Sequence, residues 1–305
     1  MAGRALAAER RLHASVRENA ILVILCFGAG VAPLAARSIS GDAARVAYGA
    51  LVAAAYLAFA LFARRAAALR PYWELAFAFF VFAFVQVLNN VVAGYVASRV
   101  LRAPPTAGDP LAATVSGTVV VQLLETAVAI IPVVAFTLLS GRDLGTIYAR
   151  VGKRRWLVGA LVFFAAFYGY LATVAFRPDS PAHRLLPTNG PLTLARFLAL
   201  TPALLVVAIA NGFEEEFLFR GLFLQKYTVF FGAGAANALQ AALFATAHAW
   251  ITYTPTAVLF IVAVVFPLGL LAGYLMRASD GIVVPGIVHA ALDLAIYLAF
   301  LTYAV

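Results

Sequence analysis

The stretch Asn211-Gly-Phe-Glu214-Glu215-Glu216-Phe-Leu-Phe-Arg220 sits between two strongly apolar runs, Ala203–Ala210 and Leu222–Phe231. A charge in the middle of a membrane span costs about 2.5–3.5 kcal/mol on insertion scales. Three glutamates and one arginine would cost on the order of 10 kcal/mol if summed naively, and nothing in a merely structural helix repays that. The plain alternative is a solvated loop outside the membrane. Phe213, Phe217 and Phe219 interleave the charges and favour a polar island inside a span.

The rest of the chain asks for a membrane as well. Of 305 residues, 64% are apolar or aromatic and 11% are charged. Soluble domains run near 45–50% apolar and about 25% charged, and this excess cannot be hidden in a water-soluble core of this size. Disordered chains and coiled coils need more charge. A β-barrel would alternate apolar and polar residues in short segments. Long unbroken runs require helices, which satisfy their own backbone groups. The expected fold is all-α, a polytopic transmembrane bundle of about 8–9 spans, near 20–36, 46–63, 75–97, 116–139, 156–176, 200–228, 233–250, 256–276 and 282–303. No internal repeat is visible, so a transporter of duplicated halves gains no support.

A net charge of +9 on a soluble protein would point to nucleic acid. Here the basic residues sit at the edges of apolar runs, so they report topology, and the expected partner is the lipid bilayer, not nucleic acid. The arm with Arg4, Arg10, Arg11 and Arg17, the connection with Arg64, Arg65 and Arg70, and the 142–155 connection are basic; 99–114 and 177–196 are less so. This predicts a cytoplasmic N-terminus and an uncleaved first span. Nine spans put the C-terminus outside, and eight would reverse it. The Ala- and Arg-rich composition points to a prokaryotic plasma membrane.

Leu144, Ile147, Tyr148 and Val151 recur at helical spacing opposite Arg150, Lys153, Arg154 and Arg155. That pattern fits a helix lying on an anionic leaflet, or a plain stop-transfer cluster. Pro178, Pro181, Pro187, Asn189, Gly190 and Pro191 make 177–196 an irregular loop. The single Cys26 excludes an internal disulfide and is expected to be inert packing.

Two more polar islands follow. Phe244-Ala-Thr-Ala-His248 ends one apolar span, and His289-Ala-Ala-Leu-Asp293 lies in the last. Glu216 and Arg220 are spaced i,i+4 and can pair, as can His289 and Asp293; Glu215 points about 100° away from Glu216. Three adjacent carboxyls in low dielectric will not all ionise together. His13 and His183 read as solvated surface, whereas His248 and His289 both lie in apolar spans. With a turn near Phe230, Glu215 and His248 are roughly 22 and 27 Å from one membrane face and can meet. His289, about 12 Å deep from Gly281, is too shallow without tilt or a re-entrant start. Glu125 with Gln122, and Gln86 with Asn89 and Asn90, read as glue between helices.

Two carboxylates and two histidines in a dry site suit activation of water. The zinc-protease His-Glu-x-x-His pattern is absent, Ser116-Gly117 lacks a histidine partner, no aspartate pair appears, and Cys26 has no neighbouring histidine. A Glu/His site that deprotonates water for attack on a carbonyl remains, and His289 can supply a donor to the oxyanion. One glutamate and two histidines, Glu215, His248 and His289, can alternatively hold Zn²⁺ with an open position.

Glu215-Glu216-x-x-x-Arg220, Phe244-x-x-x-His248 and His289-x-x-x-Asp293, in this order in separate apolar spans, resemble the three motifs of the CPBP family. That family covers Ras-converting CAAX prenyl proteases, ABI proteins and bacteriocin-processing or immunity proteins. The resemblance covers about 205–295, leaving 1–140 as spans of unassigned role and 141–305 as the core that carries it. It implies a metal-independent glutamic endopeptidase acting on a peptide or membrane-protein substrate. Glu215 and His248 would activate water, Glu216 and Arg220 would brace the site, and His289 with residue 293 would line the oxyanion hole. Prenyl-protease relatives often carry Asn where this chain has Asp293. An ionised Asp cannot donate, so Asp293 is either protonated or orients His289. Two other functions stay open: a non-catalytic immunity or scaffold protein, and a proton or ion carrier using the buried carboxylates.

Overall fold

The computed structural model describes residues 16–95, 114–175, 189, 192–249 and 255–304. The N-terminal arm before residue 16, most of the 99–114 and 177–196 connections with their prolines, and His13 and His183 lie outside the described residues.

Among the described residues all regular structure is helical. The helices are α1 (Val16–Leu34), α2 (Asp42–Arg65), α3 (Trp73–Tyr95), α4 (Val115–Leu139), α5 (Arg154–Ala175), α6 (Leu194–Glu215), α7 (Leu222–His248), α8 (Pro255–Phe260), α9 (Phe266–Ser279) and α10 (Val283–Tyr303). Among the described residues eight segments are long and apolar enough to cross a membrane. One of them, Leu194–His248, has 55 residues. At about 1.5 Å per residue it would outrun any bilayer. Gly232 breaks it with φ 75° and ψ 171°, where the sequence placed a turn between two spans. The protein is an all-α polytopic integral membrane bundle.

Side-chain exposure fits that reading. Large apolar residues such as Ile24, Leu51, Val162 and Leu259 are exposed on the perimeter, and Leu139 is 78% exposed. In water such a surface would aggregate. The interior holds an aromatic core built from Phe79, Phe82, Phe219, Phe223, Tyr227 and Phe244, joined by Cys26, which is buried as packing. An aliphatic core joins Phe197, Leu204 and Val207 of α6 to Leu294, Leu298 and Leu301 of α10.

The 142–155 connection is not a surface helix. Leu144–Ile147 make one 3-10 turn, Tyr148 takes a left-handed conformation, and α5 starts only at Arg154. Ile147 and Tyr148 are buried against the bundle, whereas Val151 is exposed. Backbone groups explain the choice. The Ile282 N–H donates to the carbonyls of Tyr148 (2.9 Å) and Arg150 (3.1 Å), and the Lys153 N–H donates to Ser279 (2.7 Å). These bonds hold the connection in tight non-helical turns around the left-handed Tyr148. The Gln225 amide donates to the Gly145 carbonyl at 2.9 Å.

Candidate active site

Between α6 and α7 the helix widens into a π-helical segment, Glu216–Gly221. Such segments favour functional sites because the extra residue per turn re-aims neighbouring side chains. At its start three consecutive glutamates face different neighbours, with His289 shared by two of them. Glu214 turns toward α4, where Gln122 (3.0 Å) and Thr126 (3.1 Å) donate to its Oε2. Glu216 is fully buried; its Oε1 lies 3.0 Å from the Arg220 guanidinium and 2.9 Å from His289 Nδ1. Glu215 points between the two histidines, with Oε1 3.6 Å from His248 Nε2 and Oε2 3.2 Å from His289 Nε2.

Residues 215 and 248 would stand about 50 Å apart along a straight helix. The reversal at Gly232 lets them meet. The depth problem at His289 also has a structural answer. The chain entering α10 is bonded to the 144–153 connection, which is itself bonded to Gln225. Helix α10 therefore starts level with residues 221–225, well short of Gly232. Gly221 to Glu215 is then about 9 Å and Gly281 to His289 about 12 Å, so the two side chains meet.

Helices α6 and α10 run antiparallel and pair in two rungs one turn apart. Glu215 meets His289, and the Asn211 amide donates to Asp293 Oδ2 at 3.0 Å. Asp293 Oδ1 stands 3.8 Å from His289 Nε2. His248 Nδ1 lies 2.9 Å from the Phe244 carbonyl. A carbonyl only accepts, so Nδ1 carries the proton and the lone pair of neutral His248 sits on Nε2, facing Glu215. Phe244 packs edge-on to His248 and His289, with ring centroids 4.6 and 5.7 Å away.

The structure thus brings together every site residue singled out from the sequence: Glu215, Glu216, Arg220, Phe244, His248, His289 and Asp293. Sequence reasoning gave Asn211 no role and missed the Glu214 anchorage. Tyr297 donates to Gln122 Oε1 at 2.6 Å, so Gln122 does join three helices. The i,i+4 spacing of Gln122 and Thr126 was the available signal. Asn90 instead bonds the Gln86 carbonyl of its own helix.

No three acidic, histidine or cysteine side chains among the described residues form a metal-ligand group. The protein is thus of the class of polytopic membrane proteins with a carboxylate–imidazole cluster enclosed among their helices. Within it, residues 197–295 match the family model described as type II CAAX prenyl endopeptidase Rce1-like, a family of the CPBP/CAAX proteases. This stretch holds all three motifs and leaves the first five helices outside. No curated protein and no solved structure gave a significant match. The family suggests intramembrane endopeptidase activity.

Proposed function

We propose that the protein is an intramembrane endopeptidase of the glutamic type that hydrolyses a peptide bond without a metal. The observation that carries this is the approach of Glu215 to both His248 and His289 inside an apolar bundle. A water bonded to Glu215 Oε1 and His248 Nε2 loses a proton to this pair as its oxygen attacks the substrate carbonyl carbon. The carbonyl π electrons move to oxygen, giving a tetrahedral oxyanion. Collapse expels the amine, which takes the proton back from the pair. Glu216 and Arg220 brace His289 from behind, and His289 faces the developing charge.

The substrate of this reading is a peptide or membrane protein. The positive-inside rule favours a cytoplasmic position for the end of the bundle with Arg64, Arg65, Arg70, Arg142, Arg154 and Arg155, and the Ala- and Arg-rich composition fits a prokaryotic plasma membrane.

The test is cleavage of a panel of membrane peptides by liposome-reconstituted wild type, Glu215→Gln and His248→Ala. Cleavage by wild type that falls at least about 100-fold in both variants is expected. Undiminished cleavage in both folded variants would remove the chemistry.

One observation favours a second reading, a zinc site. Both histidines engage Nδ1, with the Phe244 carbonyl or Glu216, and turn Nε2 toward Glu215. Zinc-binding histidines are commonly oriented in this way.

A further inference from the structure

Asn211 and Glu215 lie one turn apart on α6, and His289 and Asp293 one turn apart on α10. The antiparallel rungs place the Asn211–Asp293 bond directly beside the Glu215–His289 contact. Residues spaced i,i+4 have Cβ atoms about 5–6 Å apart. An amide on the neighbouring rung is therefore at the right range for the oxygen of a carbonyl attacked beside Glu215.

The chemistry of this rung is specific. An ionised carboxylate at 293 accepts and cannot donate to an oxyanion. The Asn211 amide carries two N–H groups, and one bond to Asp293 Oδ2 uses one of them. Asp293 is buried, so it holds the amide in a fixed orientation with little competition from water. Asp293 also keeps its other oxygen toward His289.

We propose that Asn211 is a catalytic residue that donates its second amide N–H to the oxyanion, while Asp293 is the acceptor that orients it. The inference rests on the peptidase reading. In this chain the neutral amide of the oxyanion site stands on α6 and the carboxylate on α10.

The test compares wild type, Asn211→Asp, Asn211→Ala, Asp293→Asn and the exchanged pair Asn211→Asp/Asp293→Asn. All are reconstituted in liposomes with a peptide that wild type cleaves. Loss of one oxyanion donor lowers kcat about 100–1,000-fold. Asn211→Asp and Asn211→Ala should show that loss in kcat with KM nearly unchanged. The exchanged pair should recover most of it, because the amide then donates from 293. Thermal unfolding of each variant separates chemistry from folding; a merely structural bond would lower the folded fraction and leave kcat per folded molecule intact. The inference is overturned if folded Asn211→Ala keeps kcat within about threefold of wild type, or if the exchanged pair folds and stays inactive. If wild type cleaves no peptide, the peptidase reading itself fails and this inference with it.

Discussion

The Arg220 guanidinium carbon lies 4.1 Å from the centre of the Phe244 ring, and both side chains are completely enclosed. A cation over a desolvated ring is worth about 2 kcal/mol or more. The same ring touches both histidines, so it is the wall that keeps α7 and α10 at a fixed distance from the glutamates. Phe244→Ala should lower stability by about 3–5 kcal/mol, as large aromatic truncations in cores do. Phe244→Leu refills part of the volume and should recover part of the stability, without restoring the cation contact. Unfolding midpoints in nanodiscs check both.

The two rungs between α6 and α10 exist because position 212 has no side chain. A Cβ there would stand 2.8 Å from the Ala290 nitrogen and 2.9 Å from the Gly286 carbonyl. These are backbone atoms of a helix and cannot step aside. Gly212→Ala should push the helices apart, cost about 1–3 kcal/mol and reduce cleavage along with stability. At Gly159 a Cβ meets nothing within 4 Å. Gly159→Ala should leave cleavage unchanged and stability equal or slightly higher.

Gly232 has a backbone conformation that is almost confined to glycine. Gly232→Ala should cost about 1–3 kcal/mol, and its damage should reach the site, since this turn returns His248 to Glu215. Cleavage rates measured alongside unfolding will show both losses.

The three glutamates should respond differently to neutralisation. Glu214→Gln keeps an acceptor for Gln122 and Thr126 and lies away from the histidines, so cleavage should stay near wild type. Glu216→Gln leaves Arg220 buried without its counter-charge and should cost about 3–5 kcal/mol. Stability and cleavage of both variants, measured together, distinguish a chemical from a supporting role.

Metal dependence is decided by elemental analysis of purified protein and by chelation. The metal-free reading expects less than stoichiometric zinc and cleavage unaffected by a strong chelator. Zinc at one per chain, lost together with activity and restored with it, would establish the second reading.

The sequence by itself determined the environment and the parts. Unbroken apolar runs leave the backbone no option but helix in lipid, and charges that costly in such runs mark a site. The i,i+4 spacings correctly paired Glu216 with Arg220 and placed His289 and Asp293 on one face, because these are properties of a single helix. Only the tertiary structure decided which way each glutamate points and why His289 reaches the same depth. Those depend on how α6 packs against α4, α7 and α10, and on a connection whose helical spacing hid a set of non-helical turns. Asn211 was equally invisible, since its partner lies 82 residues away on another helix. Local spacing fixes which side chains share a face; only the packing of helices against each other fixes which faces meet.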